Sequence, residues 1–138
     1  TEYKTAILDL GSFYNKYVRK QGCNIGFYFR FIHNLVSFVI EHWKSAPQDI
    51  HKYLNFIQAQ LADEELALIF YDSISNLGLD KQKKYTFKEN LDKNSFLENI
   101  PSEVLLAREH YKVFPNTRFR FLNADEMKKI FKPSSTKF

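Results

Sequence analysis

Hydrophobic residues recur at steps of three and four along the first half of the chain, which is the spacing of amphipathic helices. The first such stretch covers residues 3–20, and Gly22 marks its end. A second stretch, residues 27–43, is apolar around most of its circumference, so we expect a central helix surrounded by its neighbours. Its polar positions fall into one narrow stripe. They are Arg30, His33, Asn34, Ser37 and Glu41.

Two more helices are predicted before residue 80. Pro47 suits the first turn of a third helix, whose apolar stripe continues to Leu61. Asp63 is the expected N-cap of a fourth helix, and Gly78 is its expected left-handed terminator.

Beyond residue 80 the periodicity weakens, and capping signals indicate short helices instead. Capping-box spacing, in which the first and fourth residues bond each other's backbone, recurs three times. The boxes begin at Thr86, Ser95 and Asn123. We expect another short helix from Pro101 to about His110, and we expect Pro133 to end the last helix.

Residues 118–121 alternate like a strand, but a lone four-residue strand without a partner is marginal, so an extended loop is expected. The predicted fold class is therefore all-α, a helical bundle of four longer helices plus several short C-terminal helices. At 138 residues and 44% hydrophobic, the chain fits a single domain over residues 1–138. It begins at Thr1 inside a predicted helix, so we expect a fragment of a longer protein.

Positive charge is concentrated at the C-terminal end. Residues 108–138 hold 8 Lys/Arg and 3 Asp/Glu, whereas residues 1–107 hold 12 and 13. A basic end can contact nucleic acid, although a solvated tail has the same composition. The candidate contact is the segment Arg118, Phe119, Arg120 and Phe121, and the alternative is two buried phenylalanines flanked by solvated arginines.

Motifs for common chemistry are missing from the sequence. The four glycines never approach a phosphate-binding loop, and the four histidines include no HExxH pair. We therefore predict no cofactor and no metal site. The single cysteine, Cys23, excludes a disulfide within the chain and fits a reducing compartment. No run of about 18 apolar residues is present, so no membrane span is predicted in this chain.

Helical ribonucleases of the HEPN type carry an Arg and a His separated by four to six residues. Here Arg30 and His33 are separated by two residues, and Arg108 and His110 by one. Were the chain to cleave RNA, Arg30 would hold the phosphate and His33 would act as the acid or base. The alternative is that Arg30 has a structural role and that His33 caps a helix. Whether the chain is an enzyme is left open, and a binding function is favoured.

Two segments carry a family resemblance. Tyr28 to Ile32 reads YFRFI, and Gln58 to Asp72 reads QAQLADEELALIFYD. Together they resemble the AbiC-like family of phage abortive infection proteins, whose members show a YFR segment and, some thirty residues on, a motif like RAQLSxxELxLLFYN. The resemblance spans about residues 25–100. Three positions differ from the family pattern, namely Gln58 for Arg, Ala62 for Ser and His33 for an aromatic residue.

The resemblance implies a bacterial anti-phage protein that acts as sensor, oligomerisation module or toxic effector. It implies a protein partner or a homo-oligomer, with RNA binding or HEPN-like ribonuclease activity as the alternative. Many relatives carry membrane helices before this domain. The domain is therefore expected in the cytoplasm, with the full-length protein anchored through an N-terminal segment.

The positions that match the family pattern form one predicted cluster. Gln60 and Glu65 bracket the turn between the third and fourth helices, and a buried Arg30 needs an amide or carboxylate partner of that kind. With His33 and Asn34 on the same polar stripe, these residues form either a network that fixes the turn or a site for a ligand or partner.

Overall fold

The computed structural model describes residues 25–75 and 78–135, with side chains described from Tyr28 to Ile130. All regular structure in these ranges is helical, which confirms the all-α class. The predicted helix over residues 3–20 lies outside the described residues, as does its end at Gly22. The α-helices are α1 (Ile25–His42), α2 (Pro47–Gln58), α3 (Asp63–Ile74), α4 (Thr86–Lys93) and α5 (Ala124–Ser135), with 3-10 helices at Ser102–Val104 and Arg108–Val113.

Helix α1 is amphipathic and is not surrounded by its neighbours. Its buried face follows the helical repeat through four residues, Phe29, Ile32, Val36 and Val39. On the other side Phe31 is 59% exposed and Phe38 is 62% exposed. The expectation of a central, enclosed helix is therefore wrong for its described part. Apolar residues on every face of a helix do not by themselves bring neighbours to every face.

The N-cap of α3, in the turn between α2 and α3, lies one residue earlier than predicted. Ala62, and not Asp63, is the N-cap residue. Alanine has no side-chain acceptor, so the cap depends on Glu65, whose Oε1 accepts the Ala62 amide at 2.9 Å. This glutamate also places a negative charge at the positive end of the helix dipole.

Gly78 does not terminate α3 in the way the sequence suggested. The helix ends at Ile74, four residues earlier, with Ser75 as its extended C-cap. A Cβ added at Gly78 would lie 2.1 Å from the Ser73 carbonyl oxygen. Glycine is needed here because the backbone passes so close to the end of the helix.

The three predicted capping boxes have different outcomes. The box at Asn123 is confirmed, since Asn123 Oδ1 accepts the Glu126 amide at 2.9 Å and Glu126 Oε1 accepts the Asn123 amide at 3.0 Å. Thr86 begins α4 but is not its N-cap, because its hydroxyl donates to Asp80 Oδ2 at 2.6 Å. Ser95 has a positive φ of 51° in a run of turns, so the helix predicted there is absent.

The segment after Pro101 is also less regular than predicted. Two 3-10 helices, Ser102–Val104 and Arg108–Val113, replace the single short helix. The last helix continues to Ser135, so it does not end at Pro133. Among the described helices, none combines the length and the apolar character that crossing a membrane requires.

Buried phenylalanines make up much of the core. Two of them, Phe114 and Phe119, belong to the C-terminal segment and attach it to the core. Phe29 meets Phe87 edge-on at 5.2 Å, and Phe70 lies 4.8 Å from Phe114 between ring centroids. Phe119 is fully buried, and residues 118–121 form no strand, as predicted, although residues 120 and 121 form a turn and not an extended segment. The loop that precedes Phe119 is held by the buried carboxylate of Asp92, which accepts bonds from Asn116 N and Nδ2 and from Thr117 Oγ1.

Candidate functional site

The two family-like segments meet in a direct hydrogen bond at the beginnings of α1 and α3. The Tyr28 hydroxyl donates to Glu65 Oε2 at 2.7 Å, and the other carboxylate oxygen accepts the Ala62 amide. One side chain therefore caps α3 and ties it to α1 at the same time. Both carboxylate oxygens are engaged, and this arrangement positions helices.

The protonation states of this pair follow from its environment. Burial, and then the bond to the Glu65 carboxylate, raises the pKa of Tyr28 above its ordinary value. The Ala62 amide, and then the Tyr28 hydroxyl, lowers the pKa of Glu65. At neutral pH the pair is thus a phenol donating to a carboxylate, a charge-assisted hydrogen bond.

Arg30 is not the partner of Glu65. It is exposed, and it forms no hydrogen bond or ion pair with the residues that the structure describes. Two residues along a helix correspond to a rotation of about 200°, so Tyr28 and Arg30 cannot both face α3. The expected burial of Arg30 is therefore wrong. Sequence reasoning overlooked Tyr28 because it gave the charged residue of the YFR segment priority over the tyrosine.

The other residues of the predicted cluster lie apart. Gln60 is exposed, with its Nε2 at 3.5 Å from the Phe56 carbonyl oxygen, and Asn34 is exposed on α1. His33 is half-buried against the rings of Phe29 and Phe87, at 6.1 and 4.5 Å. Burial lowers the pKa of His33, so its imidazole is held in the neutral form.

Gln58, where the family pattern has arginine, occupies a buried position at the end of α2. It is 3% exposed, and its Oε1 accepts a bond from Asn99 Nδ2 at 2.8 Å. This bond joins α2 to the turns that follow α4. A charged group at this depth needs a compensating partner, whereas Gln58 is neutral, although its buried Nε2 has no hydrogen-bond partner within the described part of the chain.

A second tyrosine of the family-like segment reaches the C-terminal part of the fold. The buried Tyr71 hydroxyl accepts the Leu106 amide at 2.8 Å and lies 2.7 Å from His110 Nδ1. The direction of this second bond depends on the imidazole tautomer, and a neutral His110 that carries its proton on Nε2 accepts from the hydroxyl at Nδ1. Burial raises the pKa of Tyr71 to about 12 and lowers that of His110.

The predicted nucleic-acid segment is partly enclosed. Phe119 is fully buried, so a nucleic-acid base cannot stack on its ring, whereas Phe121 is half-buried. Arg118 and Arg120 on either side of Phe119 are exposed. Within residues 25–75 and 78–135, no group of three or more His, Cys, Asp or Glu side chains is placed to hold a metal ion.

These features define an all-helical domain in which a tyrosine–glutamate bond joins two helices through two short sequence segments. The model of the family described as "putative phage abortive infection protein" matches residues 20–105, more than half of the chain. The chain belongs to this family, which implies a role in phage defence by abortive infection. Neither the curated proteins nor the solved structures yield a match.

Proposed function

We propose that this chain acts in phage defence as a protein-binding module, and that it binds through a surface formed by α1 and α2. The supporting observation is a group of aromatic side chains at the corner where the two helices join, four of which are in ring contact. This outer aromatic surface consists of Phe38, His42, Trp43, Tyr53 and Phe56.

Ring contacts connect four of the five members of the outer aromatic surface across the corner. Phe38 stacks on His42 at 5.4 Å, and His42 meets Trp43 edge-on at 5.0 Å. Trp43 stacks on Tyr53 of α2 at 4.8 Å with an interplanar angle of 18°. Phe56 lies one helical turn beyond Tyr53. The four rings in contact therefore support one another before a partner arrives, which lowers the entropic cost of binding.

Exposure of these rings is large enough to need an explanation. Phe38 is 62% exposed and Phe56 is 67% exposed, and Phe31 extends the group along α1. Burying one phenylalanine side chain fully contributes about 1.5–3 kcal/mol. Because these rings are mostly exposed, a large part of that free energy is gained only when a partner covers them. Aromatic side chains are also the residues that contribute most at protein interfaces.

The role in defence is tested with the Phe38→Ser/Phe56→Ser double variant in infected cells. We expect it to fold and accumulate normally, because both side chains are exposed, and to lose protection in a plaque assay. The matched control is Leu106→Ser, which removes a side chain that is 61% exposed elsewhere on the fold. Full protection by the double variant, or equal loss in both variants, would contradict the proposal.

Ribonuclease activity is separated from binding by incubating the purified chain with total cellular RNA. A binding module leaves the RNA intact, with and without the His33→Ala substitution. Degradation that His33→Ala abolishes would favour a nuclease, with Arg30 and His33 as its first candidate residues.

A further inference from the structure

A groove of about 620 Å³ lies between the second 3-10 helix and α5. Its volume is within the range of about 300–1,000 Å³ that ligand sites occupy. The residues on both of its sides follow residue 105, so the groove lies beyond the part of the chain that the family model matches. Phe114, Pro115 and Ile130 supply its apolar lining.

One ion pair lies in the lining of the groove. Arg108 donates to both carboxylate oxygens of Glu126, at 2.8 and 2.7 Å, and so joins the 3-10 helix to α5. The guanidinium also lies 5.7 Å from the ring centroid of Tyr111 and 5.4 Å from that of Phe121. The charge of Arg108 is therefore compensated within the fold.

Two other cations of the groove are not compensated. Lys112 comes from the 3-10 helix and Lys129 from α5, and both are exposed. Neither forms a hydrogen bond or ion pair with the part of the chain that the structure describes. With Glu109 as the remaining acid, the lining keeps one net positive charge. An anion between the two lysines would be attracted to both of them.

The positive charge continues outside the groove. Arg118 and Arg120 are exposed on the adjoining loop, and Phe121 of that loop meets Tyr111 edge-on at 5.9 Å. Within residues 108–138, 8 basic residues outnumber 3 acidic ones. Several cations on neighbouring segments suit a chain of phosphates better than a single anion.

We propose that this groove, with Lys112 and Lys129 on its two sides, binds single-stranded nucleic acid. The phosphates lie along the lysines and the neighbouring arginines. Tyr111 lies in the groove lining and is half-buried, so part of its ring is open to a base, a contact that every base can make. An acidic peptide shares the charge of nucleic acid but has no bases to stack on that ring, and this favours nucleic acid. This site is separate from the outer aromatic surface and is tested independently of it.

The test measures binding of a fluorescent 12-nucleotide oligouridylate by anisotropy at several salt concentrations. The double variant Lys112→Gln/Lys129→Gln is compared with Lys81→Gln/Lys93→Gln, which removes the same charge from exposed lysines elsewhere. We expect the groove variant to weaken binding at least tenfold and the control to change it less than twofold. Loss of two phosphate contacts should also reduce the slope of log K against log salt by about 1.4, since each contact contributes about 0.7 for single strands.

A gain-of-affinity variant keeps the test independent of folding. In Glu126→Gln the amide still completes the capping box with Asn123 but no longer neutralises Arg108. We expect this variant to bind the oligouridylate more tightly, with a steeper salt slope. The proposal is overturned by absence of binding, by equal weakening in the groove and control variants, or by a 12-residue polyglutamate peptide that binds as tightly as the RNA.

Discussion

Tyr28 at the beginning of α1 donates a 2.7 Å hydrogen bond to Glu65 in the first turn of α3. Because Glu65 also caps α3 through the Ala62 amide, one carboxylate stabilises a helix end and the packing of two helices. The two sequence segments that resemble the family are thus joined by a structural contact.

Replacing Tyr28 by phenylalanine should destabilise the fold by about 1 kcal/mol. The substitution keeps the ring and removes only the hydrogen bond to a charged acceptor on a partly buried site. The measurement is urea denaturation at pH 7. Arg30→Ala is the control, since an exposed residue without partners should change the free energy of unfolding by no more than about 0.5 kcal/mol. A larger effect of Arg30→Ala than of Tyr28→Phe would mean that the arginine holds the helices.

Stability should fall as the pH drops from about 6.5 towards 5. Burial lowers the pKa of both His33 and His110 below the ordinary value of 6.5. In that pH window the unfolded chain binds more protons than the folded chain. The free energy of unfolding therefore decreases as the pH falls. Glu109 near His110 opposes part of this effect, whereas the aromatic neighbours of His33 carry no charge.

Urea midpoints at pH 7, 6 and 5 measure this dependence. His110→Asn keeps an acceptor for the Tyr71 hydroxyl but cannot titrate, so it should reduce the pH dependence without abolishing it. The double variant with His33→Asn should remove it over this window. The same pH dependence in the double variant as in the wild type would show that other groups are responsible.

Removing the carboxylate of Asp92 should destabilise the fold by about 3 kcal/mol. Asp92→Ala leaves the Asn116 amide without its acceptor, and the Thr117 hydroxyl keeps only the Asp92 carbonyl oxygen at 3.4 Å. It also removes a negative neighbour from buried Lys88. Denaturant unfolding gives the value, and hydrogen exchange should show faster exchange at Asn116. Stability within about 0.5 kcal/mol of the wild type would contradict this account of the loop.

Alanine at position 78 should be destabilising despite its small size. Its Cβ would lie 2.1 Å from the Ser73 carbonyl oxygen, and backbone must move to admit it. We expect a loss of about 1–3 kcal/mol by denaturant unfolding. A neutral substitution would show that the chain does not pass so close to the end of α3.

The helices with strong local signals were predictable from the sequence. Pro47 opens α2, the apolar repeat places α1, and the Asn123 capping box begins α5, because each signal acts within one turn of helix. The region from Thr86 to His110 was predicted less well. There Thr86 bonds to Asp80, six residues earlier, and Tyr71 holds the amide of Leu106, 35 residues later, so contacts beyond a single helical turn decide the local structure.

The candidate site shows the same division. The sequence pointed to Glu65 or Gln60 as the partner of Arg30, whereas Glu65 accepts from Tyr28, since the outcome depends on how α1 is rotated against α3. The outer aromatic surface was hidden for a similar reason. Phe38 has the same chemistry as the buried Phe29, and only the packing of the helix distinguishes them.

Site-specific photo-crosslinking in infected cells tests the proposed binding surface most directly. A benzoylphenylalanine is placed at position 38 in one strain and at position 106 in another, and adducts of the chain are followed after phage addition. A partner on the outer aromatic surface predicts a discrete protein adduct from position 38, a second copy of the chain included, which Phe56→Ser abolishes. No adduct from position 38, or the same adducts from position 106, would contradict the account.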